Sequence, residues 1–133
     1  MSKENVEAIR RSNAAFNRGD VDGALAPFHA DIEWHDLSHP PDVPARTRGI
    51  RAVRETFDGW KGSFEELTAQ VEEFIDAGDA VVCVTTWHAK GAGSGLAVDQ
   101  TSTEVYEFED GQIVRATLGY ASRADALRAV GLS

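Results

Sequence analysis

Between residues 3 and 18, Val6, Ile9, Asn13 and Phe16 recur at three- and four-residue spacing, which predicts a helix that buries one face, capped by Ser2 and ended by Gly19. Asp20 restarts a short helix through Val21, Ala24, Leu25 and Phe28. The period then changes to two. In a predicted strand over 32–36, Ile32, Trp34 and Asp36 share one face and Glu33 and His35 the other. Residues 37–48 hold Pro40, Pro41 and Pro44, a composition that suits a rim loop and excludes regular helix. Gly49 opens a third helix on the stripe Ile50, Val53, Phe57 and Trp60. Strand-like patterns follow over 66–76, 80–89, 96–109 and 112–120, joined by Ala77-Gly78-Asp79, by the Gly-rich run Gly91 to Gly95, and by Asp110-Gly111, a two-residue hairpin signal. Ser122, with Asp125 three residues on, starts a last helix over 123–130 that Gly131 ends.

Helices first and an antiparallel meander second make an α+β arrangement in one domain over residues 1–133, with N-terminal helices packed on a curved sheet that encloses a pocket. The strand around Cys83 is apolar on both faces. Val82 and Val84 are expected on the helix-packed side, while Val81, Cys83, Thr85 and Trp87 form a second stripe that calls for a homodimer through the sheet.

Charge narrows the partners. Twenty-two acidic against 13 basic residues give a net charge of -9, which argues against nucleic acid and anionic membranes and favours neutral or weakly charged small ligands. The first residues carry no signal-peptide h-region and no segment is long enough to span a bilayer, so a cytoplasmic protein is expected. Cys83 is the only cysteine and sits in Ala80-Val81-Val82-Cys83-Val84, where an inert buried thiol is expected.

Asp36 is the leading chemical candidate, since alternation sends its carboxylate along Ile32 and Trp34, where low polarity raises a carboxyl's pKa towards values useful for proton transfer. Asn13 lies on the buried stripe of the first helix and must find a partner there. Glu104 shares a face with Tyr106 and Phe108, either as a solvated strand end or as a pocket acid. His88 is a further proton carrier, and Tyr120 could reach a pocket with its hydroxyl while its ring packs. Phe16, Trp34, Phe57, Trp60 and Tyr106 would supply apolar walls for a hydrophobic small molecule. His29, His35, His39, Asp31, Asp36 and Asp42 are metal-ligand types, but their spacing crosses from a strand into a prolyl loop, so no metal is expected. The Gly91 to Gly95 run lacks the helix start and lysine of a phosphate loop and reads as a hairpin tip.

Ala15-Phe16-Asn17-Arg18-Gly19-Asp20, the short helix to Phe28 and the strand to Asp36 resemble the nuclear transport factor 2 superfamily, in its SnoaL-like or ketosteroid-isomerase-like branch. Glu73-Phe74-Ile75-Asp76-Ala77-Gly78-Asp79, Phe108-Glu109-Asp110-Gly111-Gln112-Ile113 and Ala124-Asp125-Ala126-Leu127 agree with it. The resemblance implies a cone-shaped barrel with a deep pocket, usually dimerised through the sheet, and a reaction without cofactor. It sets Asp36 at the position of ketosteroid isomerase's proton-shuttling aspartate and Glu104 at that of its protonated acid, a pairing of differently tuned carboxyls. Ser12, with Asn13 beside it, stands where that enzyme has its oxyanion-binding tyrosine. Isomerisation, cyclisation or hydrolysis of a hydrophobic small molecule is one expectation, and a non-catalytic ligand-binding or dimerisation protein is the alternative.

Overall fold

The computed structural model describes residues 2–38 and 46–132. Helix α1 (Ser2–Asn17) stops before Gly19, whose φ of 80° suits only a residue without a Cβ. Helix α2 (Val21–Leu25) is capped by Asp20, whose Oδ1 accepts the Gly23 N–H at 2.9 Å. Strand β1 (Phe28–Asp36) begins four residues earlier than its alternation suggests, because an irregularity between Phe28 and Glu33 interrupts the period of two. The proline-rich segment expected as a rim loop, and the Ser2 cap, lie outside what the structure describes, but its far end forms a short strand, β2 (Arg46–Arg48), against Glu33 to His35. Helix α3 (Ile50–Ser63) buries Val53 and Phe57.

Strands β3 (Phe64–Asp76), β4 (Ala80–Gly91), β5 (Ala97–Glu109) and β6 (Gln112–Tyr120) form the expected meander. Its last turn is set by Asp110 and Gly111, with φ of 51° and 79°, the pair of positive values that a tight two-residue hairpin requires. The six strands order as β2-β1-β6-β5-β4-β3, antiparallel except where β1 runs parallel to β6. Register shifts in β3 and β5 bend the sheet around α1 and α3, so that it curves without closing. Helix α4 (Arg123–Ala129) ends the chain, capped by Ser122.

The two faces of β4 are the reverse of the sequence expectation. Val81 and Cys83 join Ile9, Ile32, Trp34 and Phe57 in the main core, and Trp87 packs edge-on to Phe16, so this stripe is the concave, helix-covered face. Val82 lies on the convex face, where Ala80, Val105 and Ala126 of α4 cover it. Arg123 holds α4 there through two bonds of 2.9 Å to the Glu73 carboxylate. Both stripes are apolar, so alternation alone could not say which one the helices cover.

Two amides fasten α1 to β3. Asn17 accepts from the Ala69 N–H and donates to the Ala69 carbonyl, both at 2.8 Å, and Asn13 donates to the same carbonyl at 3.1 Å. At the other end of the concave face, Gly119 has a φ of 83°, and a Cβ there would sit 2.9 Å from Ser38 Oγ and 3.0 Å from Ser38 N. Gly119→Ala is therefore expected to destabilise the fold by ~1–3 kcal/mol, the usual scale of a strained backbone residue, measured by urea unfolding. An unchanged midpoint would contradict the close approach of the Ser38 turn.

Candidate functional site

The concave face encloses a cavity of about 60 Å³, room for a few waters or the polar head of a ligand. Trp60, Trp87 and Leu118 line it and also line an open mouth of about 650 Å³ between the end of β1 and the β4–β5 hairpin. Rings make the partition. Trp60 meets Trp87 at 6.0 Å and stacks on Phe57 at 5.2 Å, while Phe16 stands edge-on to Phe57, Trp60 and Trp87 at 5.5 to 6.2 Å. Trp34 closes the group against Phe57 and Trp60. The expected walls Phe16, Trp34, Phe57, Trp60 and Tyr106 are thus brought together.

Glu104 is the ionisable group at the base. It is 1% exposed, and no lysine or arginine is among the described residues that line the cavity. The β4–β5 register sets Cys83 opposite Glu104 and Thr85 opposite Ser102, all on the concave face. Thr85 Oγ1 lies 2.6 Å from Glu104 Oε1, Ser102 Oγ hydrogen-bonds to Oε2, and the Trp87 indole donates to Ser102 Oγ at 3.0 Å. Burial pushes the Glu104 carboxyl above its ordinary value, and the bonds from Ser102, Thr85 and Trp87 offset only part of that rise. On the convex face the opposite holds: the Arg115 guanidinium, 2.9 Å away, keeps the Glu33 carboxyl below the usual range. Tyr106 lines the same cavity, its phenol pushed well up by burial and by the neighbouring Glu104, and its hydroxyl has no hydrogen-bond partner among the described residues. Burial also raises the Cys83 thiol, which therefore stays neutral.

Asp36 lies at the mouth rather than in the enclosed cavity. Its Oδ1 accepts the Ser38 N–H at 2.9 Å and the Ser38 hydroxyl at 2.8 Å, bonds that cap the turn after β1. Asp36 pairs with Leu118, and the shift in the β5–β6 register sets Leu118 and Gly119 across from Glu104. The two acids therefore occupy one row of the concave face with β6 between them, ~10 Å apart at two strand spacings.

The other candidates fall elsewhere. His88 lines a separate open cleft of about 620 Å³ with Phe16, Asn17 and Trp60, bonded there to Asp99 at 2.8 Å and half exposed. Tyr120 packs with the cluster under α4 and reaches only the rim of the mouth. Asn13 lines the cavity and gives one of its two amide N–H groups to the Ala69 carbonyl, and the Ser12 hydroxyl donates to the Ala24 carbonyl at 2.5 Å. Among the described residues no three metal-ligand side chains come together; His39 and Asp42 lie outside them. Thr85, Ser102 and Trp87, the shell of Glu104, are the residues that sequence reasoning missed. The signal for Ser102 is alternation with Glu104 along β5, whereas Thr85 and Trp87 become visible only once β4 and β5 are paired.

Residues 9–116 match the model of a family described as the SnoaL-like domain. None of the curated proteins matches the chain. Solved structures share its fold. An NTF2-like protein of unknown function from Burkholderia pseudomallei K96243 is 23% identical, with a TM-score of 0.80 over 96% of this chain and 98% of that one. RV0760c from Mycobacterium tuberculosis, in complex with estradiol-17beta-hemisuccinate, is 20% identical, with a TM-score of 0.76 over 91% of this chain and 95% of that one. An LEH-like epoxide hydrolase of M. tuberculosis is 20% identical, with a TM-score of 0.73 over 88% of this chain and 82% of that one. No helix among the described residues is long and apolar enough to cross a membrane.

The raised Glu104 carboxyl makes stability depend on pH. Below 4.5, the ordinary value for the acid, folded and unfolded chains both hold the proton. Above it the unfolded chain releases its proton first, and the folded state loses stability until its own group ionises. Glu104→Gln removes this loss, so its melting temperature relative to the parent is expected to climb as pH rises above 4.5. A difference that stays flat from acid to alkaline pH would refute the buried neutral acid.

Proposed function

Because the chain belongs to the SnoaL-like domain family, we propose that it is a single-domain pocket protein for a hydrophobic small molecule, acting as a cofactor-free isomerase, cyclase or hydrolase on a ligand whose polar head accepts a hydrogen bond from neutral Glu104. The observation that carries this reading is the 1%-exposed Glu104, raised by burial at the base of an aromatic cavity that no cation enters among the described lining residues. A neutral acid there donates to a ketone or epoxide oxygen in a water-poor site, where a donor aimed at developing negative charge is most effective. The free Tyr106 hydroxyl is a second donor on the same cavity. Asp36, two strands away at the mouth, is the base: it removes a proton from the carbon next to the carbonyl and returns it, while the oxygen's growing charge rests on the Glu104 O–H. The estradiol ester held by RV0760c and the activity of the LEH-like hydrolase are compatible with such a ligand in this fold.

The reading also keeps the chain cytoplasmic and off nucleic acid, consistent with its net charge of -9. A homodimer through the sheet would use the convex face around Val84 and Thr86, since the Trp87 stripe is covered by the protein's own helices. The bonds from Ser38 to Asp36 favour the second reading, a binding protein in which Asp36 only caps a turn.

Acetophenone, a neutral aromatic ketone, tests these statements. In heavy water its methyl protons are expected to exchange faster with the protein than in buffer, and Asp36→Asn should return the rate to that of buffer while binding, read from tryptophan quenching, is retained. Binding without exchange would leave the non-catalytic reading, and no binding at all would sink the pocket assignment. Sedimentation at micromolar concentration is expected to show a dimer that Val84→Glu separates; a monomeric parent protein would end that part.

A further inference from the structure

The three-membered chain from Trp87 to Glu104 runs in one direction only. An indole nitrogen donates and cannot accept, so Ser102 Oγ is the acceptor of the 3.0 Å bond from Trp87 Nε1. A serine hydroxyl has one proton. Accepting the indole N–H polarises this hydroxyl and strengthens it as a donor, and its proton goes to Glu104 Oε2. Oε2 then serves as the carbonyl-type oxygen of the neutral acid, and the acid's own proton belongs on Oε1. There Thr85 Oγ1, 2.6 Å away, donates to Oε1 and so leaves the carboxyl proton to the cavity.

We propose that Trp87 is a positioning residue for Glu104: its N–H commits the Ser102 proton to Oε2 and so fixes which oxygen of the acid presents a proton to the cavity. The inference rests on the reading of Glu104 as the pocket's hydrogen-bond donor. It assigns Trp87 a role beyond packing, although its ring also stands against Phe16 and Trp60 on the partition between cavity and mouth. Among the described residues that line the cavity no other charged group competes for the assignment. Tyr106 and Cys83, the titratable neighbours on β5 and β4, are both held neutral, α1 presents Ser12 and Asn13 to the cavity, and α3 presents Phe57 and Trp60. An acid with two equivalent oxygens would split between two proton arrangements, only one of which suits a given ligand pose; the indole removes that choice before a ligand arrives.

Infrared spectroscopy of the ligand-free protein reads the arrangement directly. At neutral pH the parent is expected to show one carboxylic-acid C=O stretch, absent from Glu104→Gln. In Trp87→Phe, which keeps an aromatic ring but no N–H, the stretch should move to higher frequency or split, and its titration midpoint should rise, because the donation to Oε2 is weakened. In a Ser102→Ala background the same Trp87→Phe change should have a much smaller effect. Replacing Trp87 by the benzothiophene analogue of tryptophan, which preserves the bicyclic shape, should reproduce the shift and covers the case in which the phenylalanine variant does not fold. An unmoved stretch in the Trp87 variants, or a shift that is undiminished without Ser102, overturns the positioning role and leaves the donor reading intact. A parent protein with no carboxylic-acid stretch at neutral pH overturns both.

Discussion

A carboxyl taken almost wholly out of water with no cation beside it is the constraint on which the concave face depends. Such a group is unfavourable when charged, and even the neutral acid needs partners for its oxygens. The fold supplies them from two strands: Thr85 from β4 and Ser102 from β5, brought opposite one another by a register that runs without interruption from Ala80–Glu107 to Lys90–Ala97. Slipping that pairing by one residue would turn Thr85 to the convex side relative to Glu104 and leave Oε1 without its partner, while Ser102, two residues before Glu104 on the same strand, would stay beside it. The hairpin that holds the register and the chemistry of the pocket are therefore the same structure viewed at two scales.

Curvature has an equally local origin. The shift between Val71 and Glu73 in β3 and that opposite Gly119 in β5–β6 bend the sheet around α1 and α3. The second of these lets Leu118 and Gly119 share the place across from Glu104, and Gly119 in turn leaves room for the Ser38 turn that Asp36 caps. The mouth and the base of the cone are thus joined through one irregular strand, which carries Leu118 into the partition between them.

Much of this was legible in the chain. Helix periods, the Asp110-Gly111 turn and the four long strands appear where the pattern puts them, because each is decided by neighbours within a few residues. Strand β2 was not legible, since Arg46-Thr47-Arg48 carries no apolar alternation and exists only by pairing with β1. The orientation of β4 was not legible either: a short C-terminal helix covers Val82 and its neighbours as effectively as the N-terminal helices cover Val81, and nothing local ranks the two. At the site, alternation with Tyr106 marked Glu104 and sets Ser102 on the same face, but Thr85 lies 19 residues away and declares itself only through cross-strand pairing. Asp36 drew attention through Trp34; its real surroundings depend on Ser38 and Gly119, the latter from a different strand altogether.

The amide of Asn17 has a consequence of another kind. Strand β3 is the outermost of its sheet, and at Ala69 its free N–H and carbonyl would offer a foothold for a strand of another molecule. Asn17 occupies both groups at once, in the way a neighbouring strand would, and it does so from a helix that has no further backbone groups to extend the ladder. The first helix therefore blocks strand addition at Ala69, on one of the two open margins of a curved and unclosed sheet.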